Sequence, residues 1–184
     1  MLKLFRKSGE SRHKTAVSMI GARPGDSVVF CGASRPELAG AVGAVTGLNG
    51  QTTVVDRRDG AEARVAEGAA AAGALVDFAD ASLTHLPFDT DHWDAAVVVE
   101  GWPATETDAR AVLNEAIRVI RPGGRLIVLD PVNRAGLFGF LKKADATPPE
   151  ETTARLLALG LRAARYLAEV DGVRYFEAVK RRPD

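Results

Sequence analysis

The chain has one cysteine, three histidines, two tryptophans and two tyrosines in 184 residues, and it carries no net charge. A single cysteine, Cys31, excludes an internal disulfide, so the fold must rest on its apolar core, as suits a reducing cytoplasm, the location we expect. With Cys31 and the scattered His13, His85 and His92 as the only soft ligands, no catalytic metal is expected. Lysine plus arginine total 24 and aspartate plus glutamate total 24, so no overall field draws the protein to nucleic acid or to an anionic membrane. Apolar stretches are strand-sized, too short for a membrane span, and stable membrane insertion is not expected. The basic segment Met1 to Lys14 is followed by no apolar run or small-residue cleavage site, so a signal peptide is not expected either. There is no repeat and no low-complexity block beyond the alanines around Ala69 to Ala72.

What is present is an ordered series of segments. The length suits one domain over residues 1–184, with residues 1–12 as an N-terminal arm. A short helix is expected near Thr15 to Ile20, and Pro24, Gly25 and Asp26 then turn the chain into a buried strand, Ser27 to Cys31. Ser34 and Glu37 have the spacing of a capping box and Pro36 suits an early helical position, so a helix should run from Arg35 to about Gly47. Thr52 to Asp56 reads as the second strand, Asp59 and Glu62 as the caps of a helix through Ala72, and Ala74 to Phe78 as the third strand. Trp93 to Val99 is apolar enough to be covered on both faces, as a parallel strand is. Ala109, Val112, Leu113, Ala116, Ile117 and Ile120 make one helical stripe that stops at Pro122-Gly123-Gly124, before a strand from Arg125 to Asp130. Thr147-Pro148-Pro149-Glu150 opens a last helix closed by Gly160, and Asp171-Gly172 is a hairpin turn between Arg162 to Val170 and Val173 to Lys180. The expected fold is α/β, a doubly wound, mostly parallel seven-stranded sheet ending in an antiparallel hairpin.

Two stretches carry a family resemblance that spans roughly residues 13–181. Leu86-Pro87-Phe88-Asp89-Thr90-Asp91-His92-Trp93-Asp94 and Arg118-Val119-Ile120-Arg121-Pro122-Gly123-Gly124-Arg125-Leu126 resemble the fourth-strand loop and the helix-end motif of class I S-adenosylmethionine-dependent methyltransferases. The likeness is to the small-molecule group containing ubiquinone and menaquinone biosynthesis methyltransferase-like proteins. It implies a Rossmann-like methyltransferase fold, S-adenosylmethionine as cofactor and a small-molecule acceptor. By the resemblance, Asp56 binds the ribose hydroxyls, by charge-assisted hydrogen bonds. Asp80 and Ala81 meet the adenine amino group, and Arg57 lies against the adenine face. Gly32, Ala33 and Ser34 form the cofactor loop, Glu100 meets the methionine end, Trp102 walls the acceptor pocket, and Phe138 belongs to a short substrate cover. No catalytic residue is singled out, since the cofactor carries the activated methyl group and the protein aligns it.

The sequence departs from the family at that loop, where the usual acidic residue and three alternating glycines become Phe30-Cys31-Gly32-Ala33-Ser34-Arg35-Pro36. Only Gly32 remains; Arg35 alters the loop's shape and Pro36 removes a backbone donor. Three functions therefore stay open: a methyltransferase with a modified loop, a non-catalytic binding module on the same fold, and a NAD-dependent oxidoreductase. The last shares the pattern of an acid about twenty residues after a glycine loop, but has the wrong glycine spacing. His85 and His92 flank the Leu-Pro-Phe loop and are candidates for taking a proton from an acceptor. Apolar residues at Leu2, Leu4 and Phe5, and at Phe138, Phe140 and Leu141, allow for a homodimer or a protein partner.

Overall fold

In a computed structural model, residues 13–99, 106–132 and 148–182 are described. A helix over residues 13–20 (α1) precedes β1 (Ser27–Cys31), α2 (Pro36–Thr46), β2 (Gln51–Asp56), α3 (Ala61–Ala72), β3 (Asp77–Asp80) and β4 (Trp93–Val98). Then follow α4 (Glu106–Val119), β5 (Ile120–Pro131), α5 (Pro149–Ala158), β6 (Arg162–Val170) and β7 (Val173–Val179). The strands form one seven-stranded sheet in the order β3-β2-β1-β4-β5-β7-β6. All neighbours from β3 to β5 are parallel, while β7 pairs antiparallel with both β5 and β6. This is the expected Rossmann-like methyltransferase fold with its terminal hairpin.

Period-two alternation sends successive strand residues to opposite faces, and both faces are covered. Val28 and Phe30 pack with Ile20, Val42, Val65 and Tyr175 beneath α1, α2 and α3. Val29 and Cys31 pack with Trp93, Val112, Ala116 and Phe176 beneath α4 and α5. The order turns from descending to ascending between β1 and β4, so their carboxyl ends border the crevice where ligands of open α/β sheets bind. On the first face α2 crosses α3 at Gly40 and Gly68, close enough for backbone to meet backbone.

The hairpin turn matches its chemistry: Asp171 (φ 52°) and Gly172 (φ 75°) are both left-handed, as a tight two-residue turn requires. The helix starts differ from expectation. Arg35 is the N-cap of α2 and Gly60 that of α3, neither with a side-chain capping bond, so Ser34 and Asp59 stand one position before the caps that the sequence spacing assigned to them. Backbone turns enter both helices instead, through Leu38 N–H to Arg35 O (3.1 Å) and Ala61 N–H to Arg58 O (3.0 Å). β3 starts three residues later than expected because the exit from α3 uses the chain before it. Gly73 is left-handed and Ala74 N–H closes back on Ala69 O (3.0 Å), so pairing begins at Asp77 and ends with Asp80 opposite Asp56.

The last residue of the expected final strand closes another helix. Lys180 Nζ donates to the carbonyls of Ile117 (2.7 Å), Arg118 (3.0 Å) and Ile120 (2.8 Å) and pairs with Asp91 (2.6 Å). A cation on the orphan carbonyls of a helix end satisfies them and opposes the negative end of the dipole. Lys180→Met is therefore expected to lower stability by about 2 kcal/mol, read as a lower urea midpoint at unchanged slope.

Candidate functional site

β1 and β2 run in register from Ser27↔Gln51 to Cys31↔Val55, which brings the exit of β1 beside the last residue of β2. Gly32 N–H donates to Val55 O (2.9 Å), and Gly32 has φ +106°, a conformation that a side chain would strain. The next amide, Ala33 N–H, donates to Asp56 Oδ2 (2.7 Å). The acid that ends β2 thus pins the loop that follows β1.

Asp56 is only 3% exposed. Its Oδ1 accepts the N–H of Arg58 (2.9 Å), an Asx turn that fixes the carboxylate's direction. The Arg58 guanidinium completes the shell, with Nε 3.0 Å from each oxygen and Nη2 2.5 Å from Oδ2. Burial works to raise the Asp56 pKa, but the Arg58 guanidinium and the amides of Arg58 and Ala33 outweigh it and bring the pKa to about 2. At neutral pH the site therefore presents a fixed anion that can only accept hydrogen bonds.

Asp80, the partner of Asp56 across β2 and β3, is exposed at the adjoining strand end, and Ala81 beside it is half-buried. Arg57 and Ser34 are exposed at the same edge. The fold therefore gathers Gly32, Ala33, Ser34, Asp56, Arg57, Asp80 and Ala81 along the carboxyl ends of three neighbouring strands. Glu100, Trp102 and Phe138 lie outside the described residues, as does the N-terminal arm. Two strand-end carboxylates beside a left-handed loop glycine are acceptors of the kind that the hydroxyls and amino group of a nucleoside require.

The departures from the family have visible destinations. Phe30 is buried at 1% exposure among the apolar residues under α1 and α2, so the place of the family's acid has become part of the core. Arg35 borders a hollow of about 300 Å³ with His13, Glu37, Leu38 and Tyr175, between α1, the start of α2 and the hairpin. A groove of about 350 Å³ lies on the opposite face, lined by Leu113, Val128, Asp130, Leu156 and Leu159. Neither cavity includes Asp56 or Asp80, and the strand-end chemistry marks the site better than volume does. Cys31 is buried, and burial, then the charge of Glu115, push its thiol up to about 12, so it is no nucleophile. His85 and His92 are exposed, with the His92 ring edge-on to Trp93 at 5.4 Å between centroids.

The two stretches that carried the resemblance prove to be each other's partners. Arg118 donates to the carbonyls of Leu86 (3.0 Å) and Phe88 (2.8 Å), while Glu115 accepts the Leu86 N–H (2.8 Å) and pairs with Arg118 (2.8 Å). The Arg118 hydrogen bond, opposed by burial and aided by the Leu86 amide, holds the Glu115 carboxyl below its usual range. The Leu-Pro-Phe loop is thus a buttress between β3 and β4. Arg58 is the site residue that sequence reading missed. Its signal was its place two residues beyond the acid, within reach of an Asx-turn carboxylate.

Comparison with known proteins follows the same strand ends. The family model described as "Methyltransferase domain" matches residues 31–128, from the end of β1 into β5. The ubiquinone/menaquinone biosynthesis C-methyltransferase UbiE of Pseudomonas putida is 26% identical over 161 residues, covering 83% of this chain and 60% of that protein. The 2-phytyl-1,4-naphtoquinone methyltransferase of Synechococcus elongatus is 31% identical over 119 residues, 64% of this chain and 51% of that one. The chain thus spans half to three-fifths of the length of these curated relatives. The crystal structure of a SAM-dependent methyltransferase from Aquifex aeolicus superposes with a TM-score of 0.70 at 16% identity, covering 91% of this chain and 88% of that one, a likeness of fold. Because the family match runs through the strand ends on which the site is built and takes in more than half of the 184 residues, this chain belongs to the methyltransferase domain family.

Proposed function

We propose that this chain binds S-adenosylmethionine across the carboxyl ends of β1, β2 and β3 and transfers its methyl group to a small-molecule acceptor. The observation that carries the reading is Asp56, an ionised, buried carboxylate held in place by the amide of the loop it faces. Asp56 would accept the ribose hydroxyls, Asp80 the adenine amino group, and Arg57 would flank the base. The loop Gly32-Ala33-Ser34 and Glu100 would meet the rest of the cofactor, which when bound supplies a methyl group already activated on a sulfonium. The protein's task is then to align and to exclude water. The relatives named for quinone methylation suggest an apolar ring as acceptor, with Trp102 and Phe138 our assignments for its side of the pocket.

Calorimetric titration with S-adenosylmethionine, S-adenosylhomocysteine and NAD tests this reading. The adenosyl-sulfur compounds are expected to bind in the micromolar range and NAD not at all. Binding of NAD alone would establish the oxidoreductase instead. Absence of binding at millimolar supply would leave a non-catalytic module, a reading that has one observation in its favour: the Asp56 carboxylate already has an internal partner in Arg58.

A further inference from the structure

The carboxylate assigned to the ribose is fully engaged by its own chain. A carboxylate offers about four lone-pair directions. On Asp56 these receive Ala33 N–H, Arg58 N–H, and the Nε and Nη2 of the Arg58 side chain. These donors differ in freedom. The Ala33 amide is fixed where β1 passes into α2, and the Arg58 amide by the Asx turn. The guanidinium sits on a rotatable side chain that is 52% exposed, against 4% for the carboxylate it holds.

We infer that Arg58 is a specificity-determining gate on the nucleoside site, which occupies the seat of the ribose until the sugar's two hydroxyls replace its guanidinium on Asp56. This rests on the reading of Asp56 as the ribose acceptor. Hydrogen bonds are conserved in the exchange: two hydroxyl donors arrive, the bidentate guanidinium leaves for solvent it already half occupies, and the backbone amides stay in place. Ligands with a vicinal diol complete that exchange, whereas a ligand with a single donor at this place leaves a buried lone pair unmatched, which is costly. The gate also lowers apparent affinity, since the competent state is the fraction of molecules in which Arg58 has swung away. Among the described residues, no second cation is shown bonded to Asp56 to take over when Arg58 is gone.

The test is titration of S-adenosylhomocysteine into the wild type and into Arg58→Met and Arg58→Gln. Methionine keeps the apolar stem and glutamine a single polar end. Because the guanidinium half of the pair is 52% exposed, both variants are expected to bind roughly three- to tenfold tighter than the wild type. An NMR titration of the Asp56 carboxyl in Arg58→Met should show its pKa rising from about 2, which verifies that the pair is removed, while an unchanged dispersion of the amide spectrum verifies that the variant is folded. Unchanged or weaker binding in both variants, with the wild type binding, overturns the gate and leaves the proposed function standing. No binding by the wild type and by both variants overturns the two together.

Discussion

Gly68→Ala is expected to lower stability by about 3 kcal/mol, a large share of the margin by which a domain is folded. A Cβ at Gly68 would stand 2.5 Å from the Pro36 carbonyl oxygen and 3.0 Å from the Glu37 nitrogen, both backbone atoms that no rotamer change can move. A second close approach of the same two helices exists at Gly40, whose Cβ would overlap the carbonyl of Gly68. Alanine favours an isolated helix over glycine by about 1 kcal/mol, so local propensity predicts the opposite sign, and the measurement separates propensity from packing. Relief requires α2 and α3 to move apart, and one movement relieves both contacts. The double variant Gly40→Ala with Gly68→Ala should accordingly cost less than the sum of the single ones, as read from urea midpoints. The movement would also shift Pro36 and the loop before it, so the single variants should weaken adenosyl binding as well.

Asp56→Asn has the largest expected effect on function. It replaces an anion by an amide that donates as well as accepts, facing the Ala33 amide, the Arg58 amide and a guanidinium, which are donors already. Affinity for S-adenosylhomocysteine should fall by about a hundredfold or more, since hydrogen bonds to an ionised group are worth about 1.5–3 kcal/mol each and the ribose makes two. The folded-state pKa of Asp56, about 2, lies below its ordinary value of 3.8. The contribution to stability is therefore fully present above roughly pH 4 and lost as pH falls through about 2, and it amounts to at most about 2 kcal/mol. Between about pH 5 and pH 8 Asp56 neither gains nor loses a proton, so this group leaves adenosyl affinity flat across that range. A calorimetric series over those pH values in the wild type checks it, and a bell-shaped profile with an acidic limb near neutrality would assign the binding to another group.

These two variants address different halves of one arrangement. The family's loop relies on glycines to approach its ligand, and here most of them are gone. The loop is held instead by the acid that it faces, through Ala33 and Asp56, while Gly32 alone keeps the left-handed turn. The acid lost from β1 has been exchanged for core: Phe30 packs under α1 and α2 with Leu38 and Tyr175. The carboxyl edge of this sheet thus has its β1–β2 junction tied by Asp56, and on the proposed reading the ribose seat is guarded from within by Arg58.

The features legible from sequence are those set by local backbone sterics and by the period of the apolar residues. Val28 and Phe30 alternate with Val29 and Cys31 because a strand turns successive side chains to opposite faces. Asp171-Gly172 makes its turn because these residues tolerate left-handed backbone. Asp56 was identified because it closes β2 at a place the resemblance made meaningful. Tertiary structure alone decided where long side chains and bare backbone would go. Lys180 crossed the chain to close α4, Arg118 reached back to the Leu-Pro-Phe loop, Gly40 met Gly68, and Arg58 turned onto Asp56 rather than into solvent. Such choices depend on which partner the fold carries within a few ångströms. Several destinations are equally open to a flexible side chain in the unfolded sequence, and packing favours the one that leaves few buried polar groups unmatched.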